Sequence, residues 1–489
     1  MKKLLAIFLV FFGVIVLAAC GESLFGNDAS GVQPGSSNWD EDTKRMIATA
    51  AEIQNNNPAD ITVGKSCPMC GLENVTWRQA TTDLGKSTAA GVHEHIYVDG
   101  AMSHDAEYLA NISGKNSSVC IVFKNADIST TGCIYENGQD NVINIMGNGV
   151  ITSSGARGDK GLFDLDGVNT TLNLYGGTYI YTGGETRGAN AASYAAINTN
   201  SGNFQTVNLF NETTVGMEIA DTGANTVSFN IWVSNAAFNM YGGVIRNGVS
   251  NTYYSGNVNI DGENAAFNMY DGKIQGGTYT ENTHAVTGAN VRIASGVFNM
   301  YGGVVSGGRT VTEGSAAVSG GGNLYITGDG SVHLFGGRIA DGFAKQAGGN
   351  VFVYKGSLEL SGTALVSGGT TVNGLGDDIM LGIQKDQSKK LVIRGGFCSG
   401  KVEAGSQSVE VGGTAELRNL IIKENAKLTV NADFAGSIRV KFPPQAVSDT
   451  IAEGNGVCTG SFSGNVIMED GTALIGENTA LVVISKLTD

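Results

Sequence analysis

A recurring alternation of apolar and polar residues in the middle of the chain predicts short β-strands. In Phe238-Asn239-Met240-Tyr241 the first and third residues share one face of a strand, and the second and fourth share the other. The six residues at 238–243 return almost unchanged at 267–272 and 298–303, with looser copies at 172–177, 207–212, 332–337 and 358–362. Self-similarity at steps of 26–35 residues indicates a repeat architecture.

Two further strand signals accompany the strong copies. An apolar pair closed by glycine follows each copy, as at 244–248. A shorter strand that begins with asparagine precedes each copy. Three short strands in roughly 30 residues are typical of a parallel β-helix, whereas a propeller blade needs four strands in about 40–50 residues. We therefore predict an all-β solenoid with phenylalanine and methionine inside. The leading asparagines are expected to bond neighbouring coils at a corner: Asn230, Asn257, Asn290, Asn323 and Asn350.

Composition supports uninterrupted strand pairing. The chain contains 72 glycines but only 5 prolines, and no proline lies between Pro68 and Pro443. Proline cannot donate to a strand ladder, so its absence suits continuous sheets. The formal net charge of −15 argues against a nucleic-acid partner, which requires a basic surface.

The repeats resemble those of right-handed β-helix proteins in the pectin-lyase-like superfamily, over roughly residues 95–440. The resemblance implies a right-handed parallel β-helix with coils of roughly 30 residues, on an adhesin-like surface protein. We expect five regions: a signal peptide, a tether with a short helix, a Cys/His module leading into the solenoid, the β-helix itself and a C-terminal β cap. Their boundaries are 1–19, 20–60, 61–105, 106–442 and 443–489.

The N-terminus predicts export. Two lysines precede an apolar run, Leu4 to Ala19, that is shorter than the roughly 20 residues of a membrane-spanning helix. The run ends in Leu17-Ala18-Ala19-Cys20-Gly21, which resembles a bacterial lipobox. That resemblance implies lipidation of Cys20 and a membrane-anchored lipoprotein on the bacterial cell surface. Residues 40–54 are expected to form the helix of the tether, with acidic residues in its first turn.

A candidate metal site lies between the tether and the repeats. Cys67-Pro68-Met69-Cys70-Gly71 resembles a zinc knuckle, and alternation places His93 and His95 on one side of a strand. These four residues make a possible structural Cys2His2 zinc site, with His104 as a spare ligand. A thioredoxin-like redox motif, a disulfide and unbound thiols are the alternatives; no βαβ pattern surrounds the motif.

The remaining cysteines allow two interpretations. Cys120 and Cys133 could pair in an exported protein, or they could be small buried core residues. Cys398 and Cys458 are expected to be buried in the same way.

We assign no catalytic residue from the sequence. Gly376-Asp377-Asp378 resembles the paired aspartates of β-helix polygalacturonases, where carboxylates act as general acid and base. The histidine between glycines and the Arg-x-Lys element of those enzymes are missing. No acidic cluster facing a basic residue suggests a calcium-dependent lyase.

The outward face of the repeats is the better functional candidate. Stacked aromatic rings beside amides could hold sugars, which gives a possible glycan-binding stripe. Its residues are Tyr241, Tyr270, Tyr301, Asn239, Asn268 and Asn299. Alternatively, the tyrosines only cover backbone at the glycine corners.

The expected role is a non-enzymatic surface protein that binds glycans or proteins. A polysaccharide lyase or glycoside hydrolase is the alternative, and a spacer without a ligand is a third possibility.

Overall fold

A computed structural model describes residues 40–441 with several gaps, together with strands at 456–458, 465–468 and 473–475. The gaps are residues 65, 155–160, 183–194, 200–202, 218–228, 251–253, 281–287, 312–319, 383–389, 406–407, 424–425 and 432. Cys20 and the predicted signal peptide lie outside the described residues.

The body is a parallel β-helix, as predicted, in which each strand pairs in register with its equivalents in the coils before and after it. The first ladder carries the repeat motif. It contains Arg78–Gln79, His93–His104, Ser118–Thr130, Val142–Gly147, Thr171–Leu174, Thr206–Leu209, Ala237–Met240, Ala266–Met269, Val297–Met300, Ser331–Leu334, Ser357–Leu360, Lys390–Ile393, Ser408–Val411, Lys427–Val430 and Gly456–Cys458.

The second ladder follows the glycine corner after each motif and includes the second halves of His93–His104 and Ser118–Thr130. Its other strands are Val150–Ser153, Gly177–Tyr181, Thr213–Met217, Val244–Arg246, Lys273–Gln275, Val304–Ser306, Arg338–Ala340, Leu365–Ser367, Phe397–Ala404, Glu416–Ile422, Ser437–Lys441 and Asn465–Met468. Ala473–Ile475 pairs antiparallel with the last of these and so ends the parallel pattern.

The third ladder holds the strands led by asparagine. It contains Gly85–Ser87, Tyr108–Ile112, Cys133–Glu136, Phe163–Leu165, Ala195–Thr199, Phe229–Val233, Val258–Ile260, Val291–Ile293, Leu324–Ile326, Val351–Val353 and Ile379–Leu381, and it ends on the second half of Phe397–Ala404. The central coils add a fourth ladder that the sequence did not predict: Val249–Ser250, Thr278–Tyr279, Arg309–Thr310, Phe343–Ala344 and Thr370–Thr371.

The interior is apolar, as the alternation predicts. Phe238, Phe267 and Phe298 are fully buried, and so are the methionines two residues after each of them. The rings of Phe238 and Phe267 stack with centroids 4.7 Å apart. Burial of these side chains in every coil supplies the hydrophobic stabilisation that a single coil could not provide alone.

The leading asparagines form a buried corner row, which confirms the predicted bonding between coils. Each side-chain Nδ2 donates to the Oδ1 of the next coil, at 2.6–2.7 Å from Asn230 through Asn350. The row ends on Asp378, whose Oδ1 accepts from Asn350 Nδ2 at 2.8 Å. These amides also satisfy the backbone: Asn290, for example, accepts from Gly277 N–H and donates to the carbonyl of Ser306.

Two helices precede the ladders. Helix α1, Glu41–Gln54, matches the predicted tether helix and is capped by Asp40, which accepts from the backbone N–H of Thr43. Helix α2 spans Pro58–Gly64. Helix α1 packs against the flank of the solenoid, where Gln54 donates to the carbonyl of Tyr175 at 2.8 Å. Of the helices that the structure describes, neither has the length and apolar character needed to cross a membrane.

Candidate metal centre

Three separate parts of the chain bring four potential ligands together. The first part is the turn Cys67–Cys70, which follows helix α2. The backbone N–H of Gly71 donates to the carbonyl of Cys67, and Cys67 N–H donates to the carbonyl of Leu72. Gly71 has a φ of 72°, a left-handed conformation that glycine adopts without strain. The turn therefore directs two thiols toward the same point.

The other two ligands lie on adjacent strands of the first ladder. His95 and Cys120 are direct partners in the parallel register of His93–His104 and Ser118–Thr130. Val119 and Ile121 point into the solenoid, so the intervening Cys120 points outward, toward the segment that carries the Cys67 turn. Parallel pairing thus places an imidazole and a thiol side by side beneath that turn.

The four ligand atoms make a compact cluster. Cys67 Sγ, Cys70 Sγ, His95 Nε2 or Nδ1 and Cys120 Sγ all lie within 4.8 Å of one another. Cys70 Sγ lies 3.2 Å from His95 Nε2. Cys120 is 0 % exposed, Cys67 1 % and His95 6 %, whereas Cys70 is partly exposed. A tetrahedral Zn²⁺ ion takes this donor set and these spacings.

The three thiols of the cluster differ in their pKa values. Hydrogen bonds with Cys120 and then Cys67 hold the pKa of Cys70 well below its usual range. Hydrogen bonds with Cys67 and Cys70, together with burial, raise the pKa of Cys120 well above its usual value. The hydrogen bond with Cys120 lowers the pKa of Cys67, but the hydrogen bond with Cys70, burial and the charge of Cys70 together raise it to about 12. A bound divalent cation would favour the thiolate form of all three.

The predicted set of ligands is corrected at one position. Cys67, Cys70 and His95 come together, but His93 begins its strand exposed to solvent and is not part of the cluster. Its place is taken by Cys120, so the described site is Cys3His instead of Cys2His2. The spare candidate, His104, lies at the far end of the same strand, where its Nδ1 contacts Thr130 Oγ1 at 3.0 Å.

Cys133 and Cys398 are buried, in line with the second interpretation. Cys120 and Cys133 do not form a disulfide, and Cys133 contacts the carbonyl of Glu107. Cys398 lies in the solenoid interior. The side chain of Cys458 lies outside what the structure describes.

The predicted glycan stripe forms a regular aromatic stack. It consists of Tyr175, Phe210, Tyr241, Tyr270, Tyr301 and Phe335, with successive ring centroids 4.9–5.1 Å apart. Helix α1 covers this stack: Ala50 and Ile53 share an apolar cluster with Tyr175, Phe210 and Tyr241. The stack is therefore not an open platform for sugars, and Tyr241 and Tyr301 are only 9 % and 6 % exposed.

The asparagines beside the stack form a second row, here called the outer row. Each Nδ2 donates to the Oδ1 of the preceding coil, through Asn299, Asn268, Asn239, Asn208, Asn173 and Asn144, at 2.8–3.0 Å. Asn144 Nδ2 then donates to Cys120 Sγ at 3.5 Å. The predicted binding asparagines are thus bonded to one another, and their row ends at Cys120 of the candidate metal centre.

The paired aspartates have structural contacts. Asp378 is 0 % exposed and accepts three hydrogen bonds, from Asn350 Nδ2 and the backbone N–H groups of Gly369 and Gly400. Asp377 accepts from Thr371 Oγ1 at 2.7 Å. A carboxylate enclosed in this way cannot reach a polysaccharide, so Asp378 is not an acid or base for its cleavage.

Searches of protein-family models, of curated proteins and of solved structures found no match to this chain. The interpretation of the site therefore stands on the geometry of its own residues.

Proposed function

We propose that this protein is a non-enzymatic, lipid-anchored β-helix protein of the bacterial cell surface, whose N-terminal segment is fastened to the solenoid by a structural zinc ion. The observation that carries the proposal is the cluster of Cys67, Cys70, His95 and Cys120. Four protein ligands close a tetrahedral site and leave no position for water or substrate, as in structural zinc sites.

Zinc at this position would hold the N-terminal segment against the solenoid. The segment from Asp40 to Cys70 covers the aromatic stack but contributes no strand to the ladders. A metal held jointly by the turn at Cys67 and by two strands of the first ladder would lock that cover in place. Because metal binding to such a site contributes directly to folding free energy, the cover would depend on the ion.

The proposed anchor and location rest on the sequence around Cys20. The lipobox-like segment places lipidation at Cys20, and a linker-like stretch separates it from the helix that begins at Glu41. Export followed by lipidation would place the solenoid outside the cell.

The proposed binding surface moves to the outer face of the second ladder, because helix α1 covers the aromatic stack. Val244, Lys273, Val304, Arg338 and Leu365 are register partners there, and all five are at least partly exposed. Two cations in this row contrast with the net charge of −15, and alternate with apolar side chains. Acidic glycans or acidic protein segments are the partners that such a row suits.

Metal content tests the zinc centre. The purified protein is expected to hold about one zinc ion per chain, and Cys120→Ser is expected to lose it. Cys133→Ser is a matched control, because it removes an equally buried thiol of the next strand outside the cluster. Metal-free wild-type protein with a disulfide among Cys67, Cys70 and Cys120, detected by mass spectrometry, would contradict the proposal.

Membrane fractionation tests the lipid anchor. Cys20→Ser is expected to move the protein from the membrane to the soluble fraction.

Glycan binding tests the proposed binding surface. A double variant, Lys273→Glu with Arg338→Glu, is expected to lose binding to acidic glycans on an array, while its melting temperature stays unchanged. Binding that survives the charge reversal would exclude this face.

A further inference from the structure

The outer row of asparagines ends at one ligand of the proposed metal centre. In the first ladder the register partners run His95, Cys120, Asn144, Asn173, Asn208, so one line of side chains connects the cluster to the repeats. Asn144 is 2 % exposed, and its Nδ2 faces Cys120 Sγ at 3.5 Å, an ordinary length for an N–H···S hydrogen bond. The last amide of the row is therefore in direct contact with a ligand sulfur.

The direction of the row is fixed over six residues. Asn144 Oδ1 accepts from Asn173 Nδ2 at 2.9 Å, so its own NH2 group must point the other way, at the sulfur. The same head-to-tail arrangement continues to Asn299. Turning the Asn144 amide around would set its NH2 group against the NH2 group of Asn173 or require every amide in the row to turn. Aligned amide dipoles polarise one another, and their positive end lies at Cys120.

The corner row provides an independent comparison. It runs in the opposite direction along the solenoid, with each Nδ2 donating to the following coil, and it ends on the carboxyl group of Asp378. In both rows the NH2 end of the row donates to a side chain that is not an amide: the Cys120 sulfur in the outer row and the Asp378 carboxyl group in the corner row.

From this we infer that Asn144 is a positioning residue of the metal centre: its amide N–H donates to the Cys120 sulfur and orients it toward the ion. This inference rests on the proposed zinc centre. Partners that hydrogen-bond to a ligand orient it toward the metal, and their removal typically weakens binding by about ten- to hundredfold. Asn144 would act through Cys120 without contacting the ion.

The test measures metal affinity in full-length protein, by competition of Zn²⁺ with a chromophoric chelator. Asn144→Leu is expected to weaken Zn²⁺ binding by about ten- to hundredfold. Asn208→Leu is the matched control, since it breaks two bonds of the same row at a similarly buried position two coils from Asn144. Its affinity is expected to stay within about twofold of the wild type, because distant sites act independently.

A second variant and a spectroscopic readout separate positioning from general destabilisation. Asn144→Asp keeps the shape and the acceptor for Asn173, but places an oxygen against the sulfur, so it is expected to weaken binding at least as much as Asn144→Leu. With Co²⁺ as the probe, both variants are expected to shift the thiolate-to-cobalt absorption bands, whereas Asn208→Leu leaves them unchanged.

The outcomes distinguish the two proposals. Wild-type protein that binds neither Zn²⁺ nor Co²⁺ overturns the metal centre and the role of Asn144 together. Wild-type binding that Asn144→Leu and Asn144→Asp leave intact, or that Asn208→Leu weakens equally, overturns only the role of Asn144.

Discussion

The corner row and the outer row use the same side chain for the same amide-to-amide bond, yet their surroundings differ. In the corner row each internal asparagine also bonds the backbone, as Asn290 does with Gly277 N–H and the Ser306 carbonyl. In the outer row the asparagines bond one another and, at one end, Cys120. One row completes the hydrogen bonding of the chain, whereas the other is added to a ladder that is already complete.

This difference explains which residue types can occupy each row in successive coils. The corner is tight: a Cβ at Gly277 would lie 2.1 Å from the carbonyl oxygen of Ala289 and 2.7 Å from Asn290 Oδ1, so glycine is required beside the asparagine amide. At the outer row the same register position holds His95, Cys120, six asparagines, His333 and Glu359 in successive coils. A position that does not support the backbone is free to acquire metal ligands.

The largest expected effect comes from breaking the corner row. Asn290→Ala would leave the backbone N–H of Gly277 without a partner in a fully buried place, and the Ser306 carbonyl and the amides of Asn257 and Asn323 would each lose one hydrogen bond. At about 1–3 kcal/mol for the unsatisfied N–H and about 0.5–1.5 kcal/mol for each of the other lost bonds, we expect a loss of about 3–5 kcal/mol in unfolding free energy after partial relaxation. Denaturant unfolding curves of the variant and the wild type measure this loss.

The matched variant in the outer row is Asn268→Ala. Its amide is partly buried and bonds only Asn239 and Asn299, so the expected loss is about 1 kcal/mol. Equal losses in the two variants would contradict the distinction between the rows.

The fold could be predicted because the repeats show which residues face the interior. Phe238 and Met240 alternate with Asn239 and Tyr241, and the copies in later coils fix the interior face unambiguously. The fourth ladder could not be predicted, since a pair such as Val249-Ser250 is too short to carry a periodic signal. The packing of helix α1 on the aromatic stack was also missed, because sequence alternation identifies which residues point outward but not what covers them.

An effect smaller than that of Asn290→Ala is expected at the end of the corner row. Asp378 Oδ1 accepts from Asn350 Nδ2 and Gly369 N–H, and its Oδ2 accepts from Gly400 N–H. In Asp378→Asn either orientation of the amide sets its NH2 against at least one donor. We expect a loss of about 1–3 kcal/mol in unfolding free energy. Asp377→Asn is the control, with little change expected because Asp377 is partly exposed; a comparable loss there would remove the special role of Asp378.

The candidate metal site was only partly predictable from the sequence. The Cys67–Cys70 spacing and the alternation at His95 are local signals, and both lead to the described cluster. His93 was chosen over Cys120 because the two histidines are neighbours in sequence. Aligning Ser118-Val119-Cys120-Ile121 with Val142-Ile143-Asn144-Ile145 by repeat register would have placed Cys120 in the outer row, directly beside His95. The decisive contact is between coils, and only the register reveals it.

The smallest expected effect lies at the far end of the outer row. His333 Nδ1 lies 3.5 Å from Glu359 Oε2, and the hydrogen bond with His333 lowers the pKa of Glu359. Because the folded pKa is the lower one, this stabilisation is complete above the unfolded value of about 4.3 and is lost as pH falls through the folded value. We expect Glu359→Gln to cost less than about 1 kcal/mol at pH 6, since both side chains are about one-third exposed. Melting curves of the variant and the wild type should converge as the pH approaches 3. A difference that persists at that pH would show that packing, and not the ion pair, holds this end of the row.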